Sequence, residues 1–364
     1  MILRAKTKQL FPWELTQQQK SNSALNLQEL EQGQTVLRSM PRRLVLELTN
    51  ACNLNCVMCG RNAADFKPTF FDMAWFSYLE ALFDTIEEVT LMGWGEPTVH
   101  PHFATMLERI NQHSARKYFC TNGMRLDVLT PAIFDYHADL IGVSLDGATP
   151  ETNNRIRRGS DLNHIVASLK NIERQKRSLG VSYPYINFVF CAMKSNLHEL
   201  PDLVRLASDI GLEEVKVVFL TVFQKELLSE TLWDDLKRVR EVFDRTTELG
   251  EQLGVSIKLP HLPGEDPAGD HSHKDCFVGW RDFFVGSDGF VRPCMSTPEQ
   301  FFRIDTSLDF MELWNHPTMQ KHRQIVNLET EMSSSCRNCY QSSHCNWNKK
   351  ESFLQIGNQF SPEW

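Results

Sequence analysis

Six short apolar runs recur along the first two thirds of this 364-residue chain: Arg43–Thr49, Glu88–Gly93, Lys117–Thr121, Leu140–Leu145, Tyr185–Met193 and Val215–Thr221. Helical stretches alternate with them at Phe71–Phe83, Phe103–His113, Pro131–Tyr136, His164–Leu179 and Leu197–Ile210. Runs this short and this rich in valine, isoleucine and leucine read as strands buried on both faces. Strands that alternate with helices predict an α/β fold around a parallel sheet. In such sheets ligands gather at the carboxyl ends of the strands, so the loops that follow the strands are where chemistry is expected.

The loop after the first run carries Cys52, Cys56 and Cys59, spaced C-x3-C-x2-C. Three thiolates can hold three corners of a cubane cluster, and a [4Fe–4S] cluster normally takes four. The missing ligand leaves one iron open to a small chelating molecule. Zinc also takes thiolates, so part of a zinc site is the alternative reading. Three further loops are distinctive. Gly93-Trp94-Gly95-Glu96-Pro97 follows the second run, and its glycines let backbone groups approach a ligand closely. The third and fourth runs end in Thr121-Asn122-Gly123 and Ser144-Leu145-Asp146-Gly147.

On these motifs the chain resembles the radical SAM enzymes, from about residue 43 to about residue 350. The resemblance implies an open, partial (β/α)6 barrel. It also implies that the open iron binds the amine and carboxylate of S-adenosylmethionine (SAM). One electron then breaks the S–C5′ bond and releases a 5′-deoxyadenosyl radical. Gly93–Pro97 is similar to the family's Gly-Gly-Glu-Pro, which hydrogen-bonds the methionyl amine, with Trp94 interrupting the glycine pair. Asn122, Ser144 and Asp146 stand where relatives carry Thr-Asn-Gly and Ser-Leu-Asp-Gly. Ser144 and either Arg157 or Arg158 would approach the sulfonium and carboxylate, since a guanidinium pairs with a carboxylate in fork geometry. A solvated helix start is the plainer reading of the two arginines. The apolar stretch Val218 to Leu220 is a candidate flank for adenine, or ordinary core.

A second cysteine set follows at Cys276, Cys294, Cys336 and Cys339, with a predicted hairpin at Phe283–Val291 turning on Asp-Gly. The set resembles the twitch form of the auxiliary SPASM domain and implies one auxiliary [4Fe–4S] cluster; a structural zinc held by four cysteines is the alternative. Cys345 sits where SPASM relatives carry a further ligand, but Lys349 replaces the next cysteine, so a second auxiliary cluster is short of ligands. Cys120 and Cys191 remain as small buried hydrophobes, Cys345 as a candidate metal ligand beside the auxiliary cluster or a bystander, and all three as candidate hydrogen-atom donors. His271 and His273 read as a solvated loop, and no Asp-x-His-x-x-Gly cobalamin signature occurs.

The expected organisation is an extension over 1–41, a core barrel over 42–230, a connecting helix and linker over 231–275, and an auxiliary domain and tail over 276–364. The linker holds a charged helix at 231–253, a strand at Val255–Leu259 and a loop at His261–Lys274. A net charge of −8 disfavours a nucleic-acid-coating role. No apolar run reaches the roughly 18 residues a membrane span needs. The first residues lack an apolar signal core, and the chain is expected in the cytoplasm. Ten cysteines there point to metal or catalysis rather than disulfides. The expected activity is hydrogen abstraction from a small polar biosynthetic substrate. Net oxidation or rearrangement would follow, with the auxiliary cluster in electron transfer and a flavodoxin or ferredoxin as reductant. The alternative is epimerisation or crosslinking of a ribosomally made peptide. The 41 residues ahead of the first strand are shorter than the peptide-binding module many such enzymes carry, which lowers that alternative. A non-catalytic electron carrier is a third class, disfavoured by the SAM-site segments.

Overall fold

The computed structural model describes residues 14–63, 67–232, 234–260, 262, 276–294, 297, 299–328 and 330–341. Its strands are β1 (Arg43–Leu46), β2 (Asn55–Cys56), β3 (Glu88–Leu91), β4 (Arg116–Thr121), β5 (Leu140–Ser144), β6 (Arg157–Arg158), β7 (Tyr185–Ala192), β8 (Glu214–Phe219), β9 (Ser256–Lys258), β10 (Asp282–Val285), β11 (Phe290–Arg292) and β12 (Phe302–Arg303). Ten of these form one sheet in the order β12-β11-β10-β1-β3-β4-β5-β7-β8-β9, and β2 and β6 form a separate ribbon. Every pairing from β10 through β9 is parallel. The expected parallel α/β barrel sheet is therefore present.

Helices α1 (Gln17–Glu31), α2 (Met73–Glu80), α3 (Phe103–Ile110), α4 (Leu126–Asp135), α5 (Pro150–Ile156), α6 (Leu162–Leu179), α7 (Leu200–Ile210) and α8 (Leu236–Leu253) accompany the barrel strands. Helices α2, α3, α4, α6, α7 and α8 pack on one face of the sheet, where Leu44, Leu46, Val89, Leu91, Phe119, Ile141, Val143, Phe188, Val215 and Val217 are buried. The charged helix begins at Leu236 rather than 231, because the Asp235 side chain caps it. Helix α4 starts five residues before Pro131. The proline costs one backbone bond, but Leu126, Leu129 and Ile133 on the buried face carry the helix through it. The hydrogen-bonded ladders stop short of the apolar runs. Leu48, Leu145 and Leu220 lie past the strand ends and are still buried, so apolarity extends beyond regular structure.

The hairpin expected at Phe283–Val291 is β10 and β11, turning at Gly289 with φ +80°. It does not form a sheet of its own. β10 pairs in parallel with β1, Arg43 opposite Asp282 and Leu46 opposite Val285, which makes it a lateral extension of the barrel. Helices α9 (Val278–Arg281), α10 (Phe310–Trp314), α11 (Pro317–Ile325) and α12 (Ser334–Gln341) follow. Helix α1 docks through buried polar groups. Gln19 donates to the carbonyls of Ile86 and Ser114, and Asn26 to that of Trp280.

Candidate active site

The cysteine loop lies at the barrel mouth, and the β2–β6 ribbon stitches it there: Cys56 pairs with Arg157, Asn55 with Arg158, and the Val57 N–H donates to Ile156 O at 2.9 Å. Val57 and Met58 pack on Leu220, Val222 and Leu227 beyond β8, which closes the loop over the far side of the barrel. Cys52, Cys56 and Cys59 are partly exposed thiols. Burial pushes the Cys56 thiol up to about 11, despite the Arg157 guanidinium, and the neighbouring Cys59 and Cys52 add to the rise. A four-iron cubane takes one thiolate per iron, and three soft sulfur donors on one loop fit such a cluster with one iron left open.

The Gly93–Pro97 turn lies directly on this loop. A side chain at Gly95 would meet the carbonyls of Thr49 and Ala51 at 2.3 Å, and the Glu96 N–H donates to Ala51 O at 2.8 Å. Trp94 packs edge-on against Phe223 and fills the space where a side chain on Gly60 would go. The Glu96 carboxylate is turned inward. It accepts from the Thr98 N–H and hydroxyl, the Thr121 hydroxyl and the Asn122 N–H, and burial holds it above the usual carboxylate range. Asn122 donates to Asn53 Oδ1 at 2.8 Å and reaches Cys52 Sγ at 3.8 Å. Glu96 and Asn122 thus shape the mouth from within.

Ser144 ends β5 with its hydroxyl 3.5 Å from Cys120 Sγ. Asp146 is fully buried, accepts the Cys191 N–H at 2.8 Å, and lies 2.7 Å from Arg157 Nε. That pair is off-line for a hydrogen bond, so charge rather than direction holds it. Burial raises the Asp146 carboxyl even beside Arg157. Arg157 is thus engaged internally, and Arg158 is exposed.

Below the mouth, the strands expose alternate positions on their inner face. Tyr118 and Cys120 on β4, Ser144 on β5, Val189 and Cys191 on β7 and Val218 on β8 are all partly accessible between buried neighbours. Cα pairing brings Cys120 opposite Gly142, Gly142 opposite Asn187, Val189 opposite Lys216 and Cys191 opposite Val218. Side chains with this register share a face, so the barrel has a solvent-reached lumen. A side chain on Gly142 would meet Tyr118 Oη, Asn187 Oδ1 and Cys120 Sγ within 3.5 Å. Tyr118, Asn187, Lys216 and Glu47 escaped the motif reading. Asn187 and Lys216 are polar residues of one parity in strands whose other parity is apolar, and that pattern was the available signal for those two.

In the second cysteine set, Cys276, Cys294 and Cys336 are partly exposed. Asn327 exchanges hydrogen bonds with the Cys276 backbone. Cys339 lies on α12, three residues past Cys336. Cys345, His271 and His273 lie outside the described residues.

A parallel barrel with a three-thiolate loop at its mouth and a second cysteine set beside it defines an iron–sulfur protein built to present a cluster to a lumen. The radical SAM superfamily model matches residues 46–185, and the SPASM iron–sulfur cluster-binding domain model matches residues 276–340. Mycofactocin maturase MftC of Mycobacterium ulcerans is 30% identical over 320 residues, 84% of this chain and 82% of its own length. The tungsten-containing aldehyde ferredoxin oxidoreductase cofactor-modifying protein of Pyrococcus furiosus is 26% identical over 260 residues, 69% of this chain and 70% of its own length. The solved structure of Streptococcus suis SuiB bound to precursor peptide SuiA superposes with a TM-score of 0.63 at 17% identity, covering 84% of this chain and 71% of that one, and shares the fold. The chain belongs to the radical SAM superfamily and carries a SPASM domain. Its cofactors are [4Fe–4S] clusters at both cysteine sites, with SAM at the first. No helix among the described residues is long and apolar enough to cross a membrane.

Proposed function

We propose that this chain generates a 5′-deoxyadenosyl radical from SAM and uses it to take a hydrogen atom from a small polar substrate held in the barrel lumen, with net oxidation of that substrate. The reading is carried by the inner face of the barrel, where the partly accessible Tyr118 and Ser144 and the buried Asn187 and Lys216 offer polar groups from neighbouring strands. When bound, the first cluster supplies SAM with the one electron that breaks its S–C5′ bond, and the auxiliary cluster offers an acceptor for the substrate's second electron. Cys52, Cys56 and Cys59 hold the first, and Cys276, Cys294, Cys336 and Cys339 the second. Gly93–Pro97 presents backbone groups to the methionyl amine, and Ser144 and Arg158 serve the sulfonium and carboxylate side. Val57 and Met58 of the cysteine loop, packed on the segment after β8, and Phe223 of that segment cover the mouth, exclude water and confine the radical to the substrate. A flavodoxin or ferredoxin in the cytoplasm supplies the reductant.

A second reading is peptide modification by epimerisation or crosslinking. Relatives favour it, since MftC is named a maturase, AlbA of Bacillus subtilis a bacteriocin biosynthesis protein, and SuiB is solved with a precursor peptide. The lumen thiols favour it as well. Burial raises both Cys120 and Cys191 above the ordinary thiol range, which keeps the S–H that a hydrogen-atom donor needs.

Anaerobically reconstituted protein should hold about eight irons, and alanine at Cys52, Cys56 and Cys59 together should leave about four. Cys56→Ala alone should abolish 5′-deoxyadenosine formation; undiminished formation would sink the assignment. Product made in deuterated water separates the two chemistries. An oxidised product is two mass units lighter than substrate and carries no solvent deuterium. Epimerisation through a thiol leaves deuterium at the abstracted carbon.

A further inference from the structure

Glu47 is the first residue past β1, the strand that lies between β3 and β10. The residue is 4% exposed. One carboxylate oxygen accepts the Trp94 N–H at 2.8 Å. The other accepts the Ser287 N–H at 3.1 Å and the Ser287 hydroxyl at 3.0 Å. Trp94 belongs to the turn after β3, and Ser287 to the turn of the β10–β11 hairpin. The backbone sets this seat. The Glu47 N–H donates to Val285 O at 3.0 Å, and the Met92 N–H donates to Leu46 O at 3.1 Å, so the end of β1 is clasped from both sides. Gly93 completes it, because a side chain there would fall 2.3 Å from Glu47 Cγ.

The connection continues past Ser287. Its hydroxyl lies 2.7 Å from the Thr69 hydroxyl. The Thr69 N–H donates to Asn50 Oδ1 at 2.7 Å, and the Thr69 carbonyl accepts the Thr49 hydroxyl at 2.6 Å. A line of hydrogen bonds therefore runs from the Gly93–Pro97 turn, through Glu47, to the auxiliary hairpin, and back to the entrance of the cysteine loop. A buried carboxylate whose donors come from two separate segments holds each segment only while the other holds it.

We propose that Glu47 is a positioning residue that couples the auxiliary hairpin to the SAM-binding turn. It fixes the Trp94 amide, and with it the backbone that receives the methionyl amine, and Ser287 orients Glu47 for that task. The proposal rests on the assignment of Gly93–Pro97 to SAM. Coupling of this kind is reciprocal, so SAM binding stiffens the hairpin and a loosened hairpin weakens SAM binding.

The test uses cluster-loaded wild type, Glu47→Gln, Glu47→Ala and Ser287→Ala. Amide hydrogen exchange is followed at Trp94 and Ser287, beside KM for SAM and kcat for 5′-deoxyadenosine formation. Ser287→Ala touches no atom of the SAM turn, yet Trp94 exchange should rise several-fold. Glu47→Ala should raise exchange in both turns and increase KM by about tenfold, the scale of one lost charge-assisted hydrogen bond, with kcat within about twofold. Glu47→Gln keeps one acceptor oxygen and should release one turn while protecting the other. Unchanged Trp94 exchange in Ser287→Ala overturns the coupling. Unchanged KM in Glu47→Ala, or a fall in kcat with KM unchanged, overturns the positioning role. If Glu47→Ala fails to fold by circular dichroism, the other two variants decide. If fully loaded wild type forms no 5′-deoxyadenosine, the functional reading fails, while the exchange data still judge the coupling.

Discussion

The two ends of the barrel use acidic residues in opposite ways. At the floor, where strands begin, carboxylates meet cations. Glu87 pairs with Arg42, Glu88 with Arg116, Asp139 with Lys117, and Asp282 with both Arg43 and Arg281. At the mouth, where strands end, Glu47, Glu96 and Glu199 instead accept loop N–H and hydroxyl groups. Glu199 takes the Ala148 and Thr149 amides ahead of α5 and the Thr152 hydroxyl in its first turn. A buried ion pair joins two strands but leaves loop backbones alone. A carboxylate that collects amides shapes a loop. Cation pairs occur at the mouth as well: Asp288 with Arg292 and Asp234 with Lys194 are the more exposed ones, and Asp146 with Arg157 ties the cysteine-loop ribbon to β5.

Asp282→Ala tests the floor hardest. It removes the buried carboxylate that the half-buried guanidinia of Arg43 and Arg281 share, and breaking such a pair costs up to about 3–5 kcal/mol, read as a lower denaturant midpoint. KM for SAM should stay within about twofold, and a large KM change would erase the distinction between floor and mouth. Burial alone would raise the Asp282 carboxyl, but Arg43 and Arg281 outweigh it and hold it below the usual range. Its folded value is depressed, so its contribution is present above the unfolded value of about 3.9 and is lost as pH falls through the folded value. The gap between wild type and Asp282→Asn should therefore be flat from neutral pH to about pH 5 and close only below about pH 4.

Glu96→Gln should give the converse result. The amide NH2 must face a donor, which costs about 1–3 kcal/mol in stability, while KM for SAM should rise by about tenfold or more because the turn and the β4 end lose their common anchor. Equal stability loss with unchanged KM would make Glu96 a floor-like residue. Thr98→Val removes one of the four donors and is the mildest probe. About 1 kcal/mol of stability and about a twofold rise in KM should follow, measured by urea unfolding and SAM titration.

Motif spacing made the two cysteine sets and the glycine turn legible, and apolar patterning the alternation of strands and helices, because each depends on neighbours along the chain. Arg157 shows where such reading stops. As one of two adjacent arginines it looked equally suited to a carboxylate ligand, and only packing reveals that it lies beside Asp146 while Arg158 faces solvent. Glu96 was read with the ligand turn, but folding rotates its carboxylate toward Thr98, Thr121 and Asn122.

The sequence alone determined the class of this protein: alternating strands and helices set a parallel sheet, and three cysteines after the first strand set an open cluster at its mouth. Both are local properties, carried by periodicity and by short spacing. Tertiary structure decided the rest. It joined the auxiliary hairpin to β1 edge to edge, opened the inner face from Tyr118 to Val218, and brought Glu47 within reach of residues 47 and 240 positions away. Contacts across such separations depend on which strands become neighbours, and strand adjacency is fixed only when the sheet closes and its faces are buried.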